Sequence, residues 1–127
     1  MTALHNLPWG SDNSVPLDVA EAVSALDNSR RRHVIRLVAD QDGSIQLGDV
    51  AEAIAAIELG KPVRELDSQE RKRVYVGLYQ VHLDTLDEVG AVAYDSRSGD
   101  IRATEATTAL ADLIRHIEAV CGAQETG

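Results

Sequence analysis

Positive charge is concentrated in two short stretches of an otherwise acidic chain: "SRRRHVIR", with Arg30, Arg31, Arg32 and Arg36, and "RKR", with Arg71, Lys72 and Arg73. Guanidinium and ammonium groups at this density neutralise phosphates, and an arginine or glutamine on a helix can also bond a base edge. Residues 28–39 sum to +4 and 68–83 to +2, in a chain of net charge −9. Both clusters open an expected helix, where unpaired N–H groups could also hold a phosphate. The candidates for DNA contact are Arg30, Arg31, Arg71, Lys72, Arg73, Gln80 and Arg97. The plain alternative for the first cluster is pairing with nearby carboxylates, which contributes little to stability when exposed.

Other chemistry is poorly supported. The chain has no nucleophile elbow, no phosphate-cradling glycine loop and no His/Cys cluster at metal spacing. Asp112, His116, Glu118 and Cys121 are ligand types, but only the first two share a helix face. We therefore expect no enzyme activity, no metal and no cofactor.

Composition bounds the rest. A chain of 127 residues with 44% apolar content can bury one core. No run of about 18 apolar residues exists, so no membrane partner is expected. The first 14 residues carry no lysine or arginine, so no secretory leader is expected either. One cysteine, Cys121, excludes an internal disulfide and agrees with a cytoplasmic protein. The charged set is 21 Asp and Glu, ten Arg and only two Lys, and Phe is absent. Short carboxylates with few lysine stems suit molar salt, so a halophilic protein is expected. At about 1 M salt the Debye length is about 3 Å, so distant acidic faces barely repel DNA.

These groups must be positioned by a mostly helical chain. "PLDVAEAVSAL" (16–26) sets Val19, Ala22, Val23 and Leu26 at helical spacing. A second helix follows Asn28 or Ser29, with Val34, Ile35, Leu37 and Val38 facing inward. A turn at Asp42–Gly43 leads to a short strand, 44–47. Leu47, Val50, Ile54 and Ile57 then form the stripe of a third helix that stops at Gly60 and Pro62. After the loop "KPVRELD", Asp67 and Glu70 make a capping box for a long helix, 68–89, ended by Gly90. Val74, Leu78, Val81 and Val89 lie on its apolar side, with Tyr75, Tyr79, Leu83 and Leu86 beside them. Arg73, Gly77, Gln80, Asp84 and Asp87 make its polar face, where Gly77 would allow close approach of DNA. A β-hairpin, 91–94 and 100–104, turns at Asp95–Gly99 with Arg97 at its tip. In a final helix, 105–122, Leu110, Leu113, Ile114, Ile117 and Cys121 form an apolar stripe suited to a dimer interface.

The stretches "NSRRRHVIRLVAD", "LGDVAEAIAA", "ERKRVYVGLYQVHLDTLDEVGAVAYD" and "GDIRAT" resemble a family of small haloarchaeal winged-helix proteins, mostly of uncharacterised function. "HLDTLDEVGAV" is similar to the end of the recognition helix in ArsR-like regulators, although the paired-cysteine metal motif of their metal sensors is missing. The resemblance spans residues 17 to 104. It implies a winged helix-turn-helix, mostly α with a small β-hairpin, to which the final helix adds an additional C-terminal element outside the resemblance. It further implies a homodimeric transcription regulator that binds double-stranded DNA. The acidic second half of the long helix and the acidic wing base favour the alternative, a winged-helix protein–protein interaction module without DNA binding. The expected organisation is a flexible tail over 1–14 with Trp9 as its anchor, a winged-helix domain over 15–104, a dimerisation helix over 105–122 and a frayed end over 123–127.

Overall fold

The structure is a computed structural model that describes residues 15–121. The expected tails, Trp9 and the helix stop at Gly122 lie outside them. The elements run α1 (Val19–Leu26), α2 (Ser29–Ala39), β1 (Ser44–Gln46), α3 (Leu47–Leu59), a 3₁₀ turn (Val63–Glu65) and α4 (Ser68–Gly77). They continue through a π turn (Leu78–His82), α5 (Leu83–Glu88), β2 (Val92–Asp95), β3 (Asp100–Ala103) and α6 (Glu105–Cys121). The chain is thus mostly helical, with one antiparallel sheet in the order β1-β3-β2. None of the described helices is long and apolar enough to cross a membrane.

Side-chain caps fix the helix starts. Asp18 and Asp67 each accept the N–H of a glutamate three residues on, Glu21 or Glu70, whose carboxylate accepts the cap residue's own N–H. Asn28 accepts from Arg30 and Arg31 N–H and starts α2. Gly60, at φ 66°, ends α3 in the left-handed conformation that a side chain would disfavour.

The small sheet holds the hairpin against α3. Ile45 pairs with Ile101 and Tyr94 pairs with Ile101 from the other side, so β3 is the central strand. Leu47 N–H donates to Gly99 O at 2.9 Å, which seats the hairpin turn on the first turn of α3. Beneath, Val34, Ile35, Val38, Ile54, Leu78, Leu83, Leu86, Ile101, Leu110 and Ile114 form a continuous core. α6 packs along α2, and α3 along α4. Thr107, fully buried, donates to Ala91 O at 2.7 Å and accepts Thr104 N–H at 2.7 Å, so α6 is tied to the start of β2.

Three expected faces differ. Val19 and Val23 are 79% and 56% exposed, and α1 buries Ala25 instead. Ile57 is 51% exposed because α3 runs past the core in its last turn. The long helix is not one regular α-helix. Val74, Leu78, Leu83 and Leu86 are buried, while Val81 is exposed. Five residues of α-helix would turn Leu83 about 140° away from Leu78. The π turn removes that mismatch: Leu83 N–H bonds Leu78 O, five residues back, and both leucines face the core. From α5, Thr85 Oγ1 donates back to Val81 O of the π turn at 3.1 Å.

Candidate nucleic-acid interface

The arginines sort into two sets. Arg30, expected at DNA, grips Glu58 with Nε at 2.6 Å and Nη2 at 2.9 Å. Its guanidinium lies over Gly77, where a Cβ would stand 2.8 Å from Nη1. The glycine therefore admits Arg30, and the expected close approach of DNA at Gly77 is corrected. Arg31 turns inward too, donating from Nε to Ser24 O at 2.9 Å and from Nη1 to His82 Nδ1 at 3.2 Å. Arg32 donates to Leu26 O, and Arg36 pairs with Glu118. Arg71 bonds Glu52 at 2.9 Å, Leu66 O at 3.0 Å and Val63 O at 3.1 Å, fastening α4 to α3 and the preceding loop. Arg30, Arg31 and Arg71 thus join helices together, and the expectation that they point at DNA is not met in this arrangement.

The second set faces outward. Arg64, Lys72, Arg73, Arg97 and Arg102 are exposed, and among the described residues their side chains form no hydrogen bond or ion pair. Lys72 and Arg73 sit in the second turn of α4. The capping box and Lys61, 2.9 Å from Glu70, occupy the nearby carboxylate. The backbone N–H of Asp67, followed by the Lys61 ammonium, holds the Glu70 carboxyl below the usual carboxylate range. Gln69, Lys72, Arg73 and Val76 line a shallow depression. Gln80 is exposed on the π turn. Arg97 lies in the hairpin turn, where its N–H donates to Asp95 at 2.9 Å and fixes the tip.

The first turn of α3 links these regions. On one side, Gly48, Asp49, Ala51 and Glu52 face Ser68, Arg71, Lys72 and Tyr75 across a groove of about 420 Å³. On the other side Leu47 holds Gly99 of the hairpin turn. Arg64 and Arg102 were missed in the sequence. Arg102 follows inward-facing Ile101, so strand alternation puts it on the open face; Arg64 stands in a loop with no such signal.

The other end is acidic. Asp87, Ala93, Tyr94, Asp95, Asp100 and Arg102 line a cleft of about 330 Å³ between α5 and the hairpin. Burial, then the proximity of Tyr79, Tyr75, Asp84 and Asp95, pushes the Tyr94 phenol up. Among the described residues its buried hydroxyl has no hydrogen-bond partner. His33 and His82 are both pushed down, first by burial and then by Arg36 and Arg31 respectively.

The stripe on α6 is divided. Leu110 and Ile114 are closed off by the chain's own core, so they are corrected from interface to core. Leu113 is half-buried, while Ile117 and Cys121 are exposed beside Val120. Among the described residues no group of three or more His, Cys, Asp and Glu is placed to hold a metal. Asp112 bonds Arg115, and Glu118 bonds Arg36.

No curated protein and no solved structure matches the chain. A family model described as a domain of unknown function, DUF7344, matches residues 23–102. That match covers more than half of the 127 residues, and the chain belongs to this family.

Proposed function

We propose that the chain is a winged-helix DNA-binding transcription regulator that acts as a homodimer. α3 and α4 serve as the helix-turn-helix, and β2–β3 as the wing. The observation that carries the reading is the sorting of the cations. Arg30, Arg31 and Arg71 are spent on helix–helix contacts, whereas Lys72, Arg73 and Arg97 stand outward with no side-chain hydrogen bond or ion pair among the described residues, on elements that flank the first turn of α3. Lys72 and Arg97 suit phosphates, and Arg73 and Gln80 suit base edges in the major groove. Asp84 and Asp87 repel phosphate, so the N-terminal half of the long helix enters the groove. The exposed Ile117, Val120 and Cys121, with half-buried Leu113, are the surface on α6 for a second copy. Two copies then present two long helices to half-sites about one helical turn apart.

The test is fluorescence anisotropy on labelled genomic DNA fragments in a KCl series up to molar salt, with an Arg73→Ala, Arg97→Ala double variant. Selective binding that the variant loses is the expected result. Absence of binding wherever the protein stays folded would overturn the reading. A second reading, a protein-interaction module, is favoured by the acidic cleft around Tyr94, which suits a basic partner surface.

A further inference from the structure

The π turn of the long helix is bracketed by two arginines of α2. Arg30 lies over Gly77, the residue before the turn, and Arg31 reaches His82, its last residue. Between the brackets Tyr79, Gln80 and Val81 face solvent. Arg31 also holds Ser24 O of α1, so one guanidinium joins α1, α2 and the π turn.

The Arg31–His82 bond has only one possible polarity. A guanidinium has donors and no acceptor, so His82 Nδ1 must offer a lone pair and the neutral ring carries its proton on Nε2. A proton on Nδ1 removes that acceptor and sets an imidazolium against Arg31, 3.2 Å away. The charges facing the ring from the packed elements are Arg31 and Arg30 on α2 and Glu58 on α3. Glu58 would favour the imidazolium, but both of its oxygens are already engaged by Arg30. Among the described residues no other carboxylate facing the ring compensates a second positive charge.

We propose that Arg31 and His82 form a proton-sensitive joint that positions the π turn: neutral His82 holds the turn and Gln80 in place, and protonation releases them and weakens DNA binding. Arg31 is a positioning residue, acting through His82. The half-buried ring and its arginine neighbours hold its proton affinity below the ordinary value of 6.5, so the joint is closed at neutral pH and opens in acid. The DNA half of this inference rests on the function proposed above; the joint itself does not.

Two measurements separate them, each on the full chain, wild type and His82→Asn. Asparagine offers an acceptor oxygen near the position of Nδ1 and does not titrate. The first measurement is amide hydrogen exchange at Leu83, whose N–H closes the π turn, expressed as a protection factor at about pH 7.5 and about pH 5.5. Protection should fall with pH in wild type and hold in the asparagine variant. The second is DNA affinity over the same range at constant salt. Wild type should lose about fivefold or more relative to the variant, the lower end of ordinary coupling between linked sites. Unchanged Leu83 protection in wild type, or an equal fall in both proteins, overturns the joint. A working joint in a protein that binds no DNA at either pH overturns its regulatory role along with the DNA reading.

Discussion

Arg30 and Gly77 are packed face to face: the guanidinium lies so close that an alanine at 77 would place its Cβ 2.8 Å from Nη1. Glycine inside a helix costs about 1 kcal/mol against alanine. Gly77→Ala recovers that propensity but displaces Arg30 from Glu58, a pair about a quarter exposed and worth at most about 1 kcal/mol after screening. We predict near-neutral stability for Gly77→Ala alone and a gain of about 1 kcal/mol for the same change in an Arg30→Ala background. Urea denaturation of the four proteins measures this. Equal effects in both backgrounds would mean the two residues do not compete.

Thr107 offers a sharper test of the α6 anchor. Thr107→Val keeps the shape but leaves Ala91 O and Thr104 N–H without their buried partner. A loss of about 1–3 kcal/mol is expected in urea. A change within about 0.5 kcal/mol, typical of a surface position, would show that the network is satisfied some other way.

For α6, stability and assembly should separate along the helix. Ile114→Ala removes a fully packed side chain and should cost about 2–5 kcal/mol. Ile117→Asp with Val120→Asp should leave the melting temperature of the monomer nearly unchanged. By light scattering in molar KCl, wild type should have the mass of a dimer and this variant that of a monomer. A wild type of monomer mass removes the second copy from the proposed function.

Acid should destabilise the fold in two stages. Burial disfavours the charged forms of His33 and His82, so the unfolded chain binds protons first as pH drops past 6.5. Stability is therefore full above that value and falls below it, toward the lower folded-state values. Glu70 acts lower: its carboxylate is favoured in the fold, and that contribution fades as pH falls below 4.5. Thermal melts across this range should decline from about pH 6.5 downward in wild type, and less steeply in a His33→Gln, His82→Asn variant. A flat profile to about pH 5 would remove the histidines from this account.

Salt tests the composition. With net charge −9 and only two lysines, self-repulsion should lower stability in dilute buffer and be screened in roughly 2 M KCl, raising the melting temperature. A melting temperature that falls with KCl would count against a molar-salt habitat.

Local chemistry was the most readable part of the sequence. Asn28 and Asp67 each cap from a fixed offset, and Gly60 stops α3 by a conformation only glycine adopts easily. The short strand after Asp42–Gly43 was legible too, and the fold pairs Ser44–Gln46 with β3 of the hairpin. What stayed hidden depends on contacts distant in sequence. The π turn arises because Leu78 and Leu83 must both meet one core, which no spacing rule for a regular helix anticipates. Whether Arg30, Arg31 and Arg71 face outward turned on Glu58, His82 and Glu52, placed near them only by the fold. Within the "RKR" stretch, Arg71 points inward and its two neighbours outward, a division set by which turn of α4 rests on α3.

The sheet's outer edge carries one more consequence. Asp87 on α5 accepts the N–H of Tyr94 at 3.0 Å, on the side of β2 that faces away from β3. At the opposite edge, β1 is three residues long. An exposed strand with open N–H groups is a template for another chain's backbone. Here one rim is too short to template much, and the other is plugged at its centre by a carboxylate. Fibre growth by strand addition must therefore first dislodge α5, and Asp87→Ala is the substitution that would leave this small sheet open to its neighbours.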